Sequence, residues 1–176
     1  MKETDLHHAL KSSLPADASA LFSMQPYSSA EAMNDLVSCV VRASRRCVAN
    51  QQYIQAIHTQ QGICLATNIV RPKQIDMTTV ASGWAIGRSP TCAIRIQHNS
   101  ISRCHAVIGY HPESGFYITD LGSSNGTWVN SRALIKMQKQ TLQDGDLLKI
   151  GKLSLEFFVD NCGASNPDHA YETTYS

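Results

Sequence analysis

The sequence predicts a mainly β protein, a β-sandwich with an N-terminal helical extension. The first observation is glycine placement: residues 1–61 contain none, whereas eight of the ten lie from Gly83 to Gly151. Because glycine marks turns and left-handed backbone positions, the second half is expected to be rich in turns. The second observation is a series of short segments rich in β-branched and aromatic residues, which is typical of a sandwich or barrel.

Composition narrows the class of protein. The 176 residues suffice for one domain with additions or for two small ones. The net charge of +1 gives no overall field that would attract DNA or an anionic membrane. No apolar run approaches the roughly 20 residues that span a bilayer, and residues 1–13 lack the apolar core of a signal peptide. We therefore expect a soluble, cytoplasmic protein that binds neither nucleic acid nor membrane.

The six cysteines show no metal-binding pattern. None forms a C-x-x-C pair, whereas zinc sites usually contain closely spaced ligand pairs. We expect reduced structural thiols, and neither a metal nor another cofactor.

The N-terminal part divides into two predicted segments. Residues 1–27 are polar and are expected to be flexible. Residues 28–61 form a predicted amphipathic helical region, with Ser28 or Ser29 as N-cap and Gly62 as its end. The pattern fits one long helix or two with a break near Asn50. Its apolar stripe would pack either on the β domain or, over residues 29–60, against a second copy or another protein.

The strands are predicted from Gly62 onward, within a domain at residues 62–160. Turn signals at residues 112–115, 124–126 and 144–145 separate them. The predicted strands are residues 63–70, 74–80, 84–86, 93–96, 105–110, 116–121, 127–129, 147–150 and 153–159. Residues 161–176 form a predicted disordered tail. Residues 83–159 carry eight Lys or Arg against five Asp or Glu, which is a weak indication of an anionic ligand.

Four local motifs lie in order within the predicted strands and turns. Their sequences are Gly87-Arg88, Ser102-Arg103-Cys104-His105, Gly122-Ser-Ser-Asn-Gly-Thr127 and Asp144-Gly-Asp-Leu-Leu-Lys-Ile-Gly151. Each alone is an ordinary turn or solvated residue. The loops of a sandwich cluster at its two ends, so a shared end would bring together Arg88, Ser102, Arg103, Ser124 and Asn125.

That set of side chains suits a phosphorylated residue in an extended peptide. Guanidinium groups form charge-assisted, often bidentate bonds to phosphate oxygens, and hydroxyls donate to the remaining oxygens. An amide can hold the peptide backbone. The set contains no metal cage and no general base placed on a nucleophile.

The order and spacing of the four motifs closely resemble those of the forkhead-associated (FHA) domain, over about residues 63–159. The resemblance implies a non-catalytic β-sandwich of about eleven strands that binds phosphothreonine. It implies that Arg88 and Ser102 contact the phosphate, that Arg103 reaches the phosphate or peptide, and that Asn125 holds the peptide backbone. Ser124 stands at a position that is often threonine. Gly87, His105 and Gly126 would support the binding loops, and Ser131 stands where many members have glycine.

The resulting hypothesis is a phosphothreonine-dependent adaptor in Ser/Thr kinase signalling, with threonine-phosphorylated proteins as partners. Catalysis by Ser102 and His105, with Asp120 or Asp144 as a third member, lacks a nucleophile-elbow pattern. A basic patch of Arg42, Arg45 and Arg46 is ordinary for a solvated helix face. The main alternative is a phosphate-independent interaction or self-assembly protein that works through its N-terminal helix, with a possible homodimer.

Overall fold

The computed structural model describes residues 30–59, 62–70, 75–79 and 83–162. The predicted flexible segment at residues 1–27, the proposed N-cap serines and residues 163–176 lie outside these ranges. One helix, α1, spans Ala30–Arg46. The strands are β1 Tyr53–Thr59, β2 Gly62–Thr67, β3 Asp76–Thr79, β4 Gly83–Gly87, β5 Ile94–Arg95, β6 Ala106–His111, β7 Gly115–Asp120, β8 Thr127–Val129, β9 Arg132–Ala133, β10 Lys139–Thr141, β11 Leu147–Ile150 and β12 Leu153–Asn161.

The strands form two sheets, which confirms the predicted β-sandwich. The first has the order β3-β2-β1-β12-β11-β8-β9 and the second the order β10-β7-β6-β4-β5. Neighbouring strands are antiparallel except for the pairs β1–β12 and β4–β5, which are parallel. Residues of both sheets form one core, in which Trp84, Ile108, Leu155 and Phe157 are at most 1% exposed. This core fixes the ends of the sheets, from which the connecting loops extend.

The prediction that residues 28–61 are helical is wrong beyond Arg46. Tyr53–Thr59 is a strand, and it lies between β2 and β12 in the middle of the first sheet. Residues 53–57 are all buried because one face meets the core and the other meets α1. A strand buried on both faces lacks polar alternation, so its apolar residues also fit a helical spacing.

The apolar stripe of α1 packs on the β domain, the first of the two arrangements considered above. Leu36, Val37 and Val40 contact Ile57 of β1 and the neighbouring strands within one buried cluster. Arg46 at the end of the helix forms ion pairs with Asp144 and Asp160 and lies over the ring of Phe158. The helix is therefore part of the folded body.

Two further differences concern the C-terminal end. The predicted tail was to begin at residue 161, but β12 continues through Asn161. Cys162 is joined to Cys39 of α1 by a disulfide with a Cα–Cα distance of 6.3 Å. The expectation of reduced cysteines is wrong for this pair, because a sequence separation of 123 residues conceals their proximity in the fold.

Strands β9 and β10, each of two or three exposed residues, were not predicted because they lack an apolar pattern. Within the described residues, no helix has the length and apolar character needed to cross a membrane. In the same part of the chain, no group of three or more His, Cys, Asp or Glu side chains is placed to hold a metal ion.

Candidate functional site

The four motifs meet at one end of the sandwich. The end of β4 pairs with the beginning of β6, at Ile86 and Ala106, and Ala106 in turn pairs with Asp120 at the end of β7. Thr127 at the beginning of β8 pairs with Ile150 at the end of β11. We call the connections at this end, residues 88–93, 96–105, 121–126 and 151–152, the loop tip.

Arg88 and Ser102 lie side by side in the loop tip. The backbone N–H of Arg88 donates to the carbonyl oxygen of Ser102 at 3.0 Å. The backbone N–H of Ser89 donates to the carbonyl oxygen of Arg103, also at 3.0 Å. The guanidinium Nε of Arg88 donates to the carbonyl oxygen of Ile101 at 3.2 Å. This bond holds the Arg88 side chain beside the 101–102 backbone and leaves its two terminal nitrogens for a ligand.

The 121–126 connection reaches the same place. The Ser102 hydroxyl accepts a hydrogen bond from the Ser124 backbone N–H at 3.1 Å. The Asn125 side-chain amide donates to the carbonyl oxygen of Ser100 at 2.9 Å. Because the Ser102 hydroxyl oxygen accepts this bond, its proton remains available for an incoming acceptor. These contacts bring Ser102, Ser124 and Asn125 together.

Arg103 is exposed and its side chain makes no hydrogen bond or ion pair with any residue that the structure describes. The described residues also provide no carboxylate within ion-pair distance of Arg88. Two guanidinium groups therefore contribute uncompensated positive charge to the loop tip. Such an arrangement favours an anion.

His105 braces the loop tip from inside. Its side chain is fully buried, its Nδ1 accepts from the Ser102 backbone N–H at 3.1 Å, and its Nε2 donates to the carbonyl oxygen of Gly126 at 3.0 Å. Since an accepting Nδ1 carries no proton, these partners assign the neutral Nε2–H tautomer. Both ring nitrogens are occupied, so the ring has no free nitrogen to activate the Ser102 hydroxyl as a base.

Gly87 and Gly126 allow the connections of the loop tip to approach one another closely. A Cβ at Gly87 would lie 2.2 Å from the carbonyl oxygen of Arg103 and 2.9 Å from Sγ of Cys92, so a side chain there would push the two connections apart. Gly126 has a φ of +79°, a left-handed conformation that glycine adopts without strain.

A buried carboxylate, which the sequence analysis considered only for catalysis, organises the 121–126 connection. Asp120 accepts from the backbone N–H groups of Gly122 and Ser123 and from the hydroxyls of Ser123 and Thr127, at 2.7–2.9 Å. Burial alone would raise the pKa of Asp120, but these four donors together lower it below its ordinary value. An Asp followed at two and three residues by Gly and Ser is a recognisable Asx-type turn signal.

Ser100 also supports the loop tip, although the sequence motifs did not predict a role for it. Its hydroxyl accepts from the Lys152 backbone N–H at 3.0 Å and bonds Nδ1 of His98 at 2.7 Å, which ties the 151–152 turn to the loop tip. A serine two residues before the binding motif carries no signal that sequence reasoning could use.

The fold is a β-sandwich with four connections that meet at one end. A family model for the FHA domain matches residues 84–151, which identifies this region as an FHA domain.

The chain is also similar to individual proteins. The oxoglutarate dehydrogenase inhibitor of Corynebacterium efficiens is 39% identical over 73 residues, which are 42% of this chain and 49% of that protein. The solution structure of the FHA domain of an Arabidopsis thaliana hypothetical protein is 33% identical, covers 49% of this chain and 77% of that one, and has a TM-score of 0.41.

A chain from a structural and functional analysis of phosphothreonine-dependent FHA domain interactions is 27% identical, covers 47% of this chain and 80% of that one, and has a TM-score of 0.40. The chain spans about half the length of the corynebacterial relative and 17% or less of three longer plant and animal relatives. FHA domains are phosphothreonine-peptide binding modules.

Proposed function

We propose that this protein binds threonine-phosphorylated proteins through Arg88, Ser102, Arg103, Ser124 and Asn125, as a non-catalytic adaptor. The observation that carries the proposal is the convergence of these residues, from three separate connections, at a tip with uncompensated positive charge. The match of residues 84–151 to the FHA domain supports it, since FHA domains recognise phosphothreonine peptides.

The proposed roles follow from the donors available. Arg88 and Arg103 provide guanidinium groups for the doubly charged phosphate, and the Ser102 hydroxyl donates a hydrogen bond to one of its oxygens. Asn125 is held through its NH₂ group by Ser100, which leaves its carbonyl oxygen to accept from a peptide N–H. A Ser/Thr kinase would supply the ligand, because it transfers the phosphoryl group that the loop tip recognises.

Self-association through α1 is not proposed as a second function. The apolar stripe that would form such an interface is buried against the β domain: Leu36 and Val40 are 1% exposed or less. Over residues 32–46, the part of α1 whose side chains the structure describes, the same packing leaves no broad apolar face for a phosphate-independent partner.

The test is binding of the full chain to a library of peptides with a fixed central phosphothreonine, measured by fluorescence anisotropy, with the unphosphorylated library as reference. Arg88→Ala is expected to weaken binding by roughly ten- to a hundredfold, because a charge-assisted hydrogen bond contributes about 1.5–3 kcal/mol. Ser102→Ala and Asn125→Ala are also expected to weaken binding, because Ser102→Ala removes one hydrogen bond to the phosphate and Asn125→Ala removes the acceptor for a peptide N–H.

Arg45→Ala is the matched control, because Arg45 is an exposed arginine on α1, outside the loop tip. Arg88→Lys separates charge from geometry: it keeps the positive charge but cannot reproduce both the Ile101 contact and a forked bond to phosphate. Equal affinities for wild type, Arg88→Ala and Ser102→Ala, at unchanged thermal stability, would refute the assignment of the site.

A further inference from the structure

Two cysteines lie next to each other within the loop tip. Cys92, in the connection after β4, is 8% exposed, whereas Cys104, directly before His105, is exposed. The thiol of Cys92 donates to the carbonyl oxygen of Arg103 at 3.3 Å. Because that carbonyl belongs to the peptide bond joining Arg103 to Cys104, the buried sulfur touches the peptide group of the exposed cysteine. Burial and the neighbouring Cys104 thiol raise the pKa of the Cys92 thiol.

The other two free cysteines lack this arrangement. Cys64 is buried at the interface between α1 and the first sheet, and burial raises the pKa of its thiol to about 12. Burial and the neighbouring Glu156 carboxylate raise the pKa of the Cys47 thiol to about 12 as well. A thiol with so high a pKa is a poor nucleophile at neutral pH. Among the four free cysteines of the described chain, only Cys104 is exposed.

We propose that Cys92 and Cys104 form an oxidation-sensitive pair, which closes to a disulfide with a small-molecule disulfide such as oxidised glutathione and thereby weakens phosphopeptide binding. The effect on affinity rests on the function proposed above, whereas formation of the disulfide does not.

The reaction proceeds in two exchanges. The Cys104 thiolate, which solvent can reach, attacks one sulfur of oxidised glutathione; a Cys104–glutathione disulfide forms and one glutathione thiolate leaves. Cys92, whose raised pKa makes it the weaker of the two nucleophiles, acts second: it loses its proton, attacks the adjacent Cys104 sulfur and expels the second glutathione as a thiolate. Two protein thiols are oxidised, one glutathione disulfide is reduced to two thiols, and the two thiol protons pass to the departing thiolates or to water.

The consequence for binding follows from the position of the bond. A disulfide holds its sulfurs at about 2.05 Å, much closer than two sulfurs in non-bonded contact. Cys92 is enclosed by Gly87 and Arg103, so the exposed 103–104 backbone must take up most of the movement. Arg103 and Ser102 lie one and two residues from the new bond, and a displacement of about 1 Å in a positioned site costs up to a hundredfold.

The experiment treats the full chain with oxidised glutathione and measures two quantities. Peptide mapping without reduction is expected to find the peptides of Cys92 and Cys104 joined, with the loss of two hydrogen atoms. Affinity for the tightest peptide of the phosphothreonine library is expected to fall roughly tenfold and to return after dithiothreitol. Cys104→Ser is expected to bind the peptide as the reduced protein does and to be insensitive to the oxidant.

Cys47→Ser is the matched control, which is expected to respond as wild type does. Because the Cys39–Cys162 disulfide is present in every variant, its reduction cannot account for a difference between wild type and Cys104→Ser. Failure to find the joined peptides overturns the inference while the proposed function stands. A joined pair with unchanged affinity overturns the regulatory effect. A reduced protein that binds no phosphopeptide refutes the proposed function, and the mapping still decides whether the pair closes.

Discussion

At the scale of single residues, the loop tip depends on a buried carboxylate that has no place in ligand binding. Asp120 is 1% exposed and accepts four hydrogen bonds. Two come from the backbone N–H groups of Gly122 and Ser123, and two from the hydroxyls of Ser123 and Thr127. The order of the four motifs was enough to predict that Arg88, Ser102, Arg103, Ser124 and Asn125 lie together. It did not reveal the organising role of Asp120, because a buried acceptor is recognisable only once its donors are placed.

Asp120 makes the stability of the protein sensitive to acid. Its pKa in the folded state lies below the ordinary value of 3.8, so the unfolded chain binds the proton more tightly. The stabilisation is therefore complete above pH 3.8 and is lost as the pH falls through the folded-state pKa. Urea unfolding between pH 7 and pH 3 is expected to show this loss in wild type.

Asp120→Asn is expected to lower the free energy of unfolding by roughly 1–3 kcal/mol at neutral pH, because an amide leaves donors unsatisfied. The variant should also lose this component of the acid dependence. Glu113→Gln, at an exposed turn, is the control and should behave as wild type. An Asp120→Asn protein with the acid dependence of wild type would contradict the assignment.

At the scale of elements, the turn between β8 and β9 shows where a departure from the family pattern has a structural cost. Val129 pairs with Arg132, and the two residues between them, Asn130 and Ser131, have φ values of +48° and +69°. Positive φ at both positions is typical of a type I′ hairpin, which favours asparagine followed by glycine. Ser131 replaces the favoured glycine without contributing to the loop tip.

Ser131→Gly is therefore expected to stabilise the protein by about 0.5–1 kcal/mol, because glycine adopts the left-handed conformation without the clash of a Cβ. Chemical denaturation measures the change, and phosphopeptide affinity should be unaltered. Ser154→Gly, in strand β12 where φ is not positive, is the opposite control and should destabilise. A destabilising Ser131→Gly would show that the turn does not have the conformation described.

Strand β1 shows the limit of sequence reasoning at this scale. The strands that alternate between the core and solvent were predictable, because their pattern reflects one buried face. The strand Tyr53–Thr59 is covered by α1 on one face and by the second sheet on the other, and only the tertiary arrangement distinguishes it from a helix.

At the scale of the whole molecule, we propose that residues 30–162 form a single folding unit. A chain beginning at Gly62 would lack β1, which separates β2 from β12 in the first sheet. Such a chain is expected to lose its cooperative thermal transition, whereas a chain of residues 30–162 is expected to retain it. Circular dichroism and calorimetry measure both. A cooperative transition in the shorter chain would place the domain boundary after β1.

The parallel pairing of β1 with β12 has a consequence for how the protein is made. These strands pair in the register Tyr53 with Glu156 through His58 with Asn161, and the first sheet is completed only by this contact. During synthesis, β1 leaves the ribosome about a hundred residues before β12, so its edge and the face that meets the second sheet stay uncovered, although α1 precedes it and can cover the other face. The nascent chain therefore passes through an interval in which chaperone capture competes with folding, and this interval ends only when the last strand has emerged.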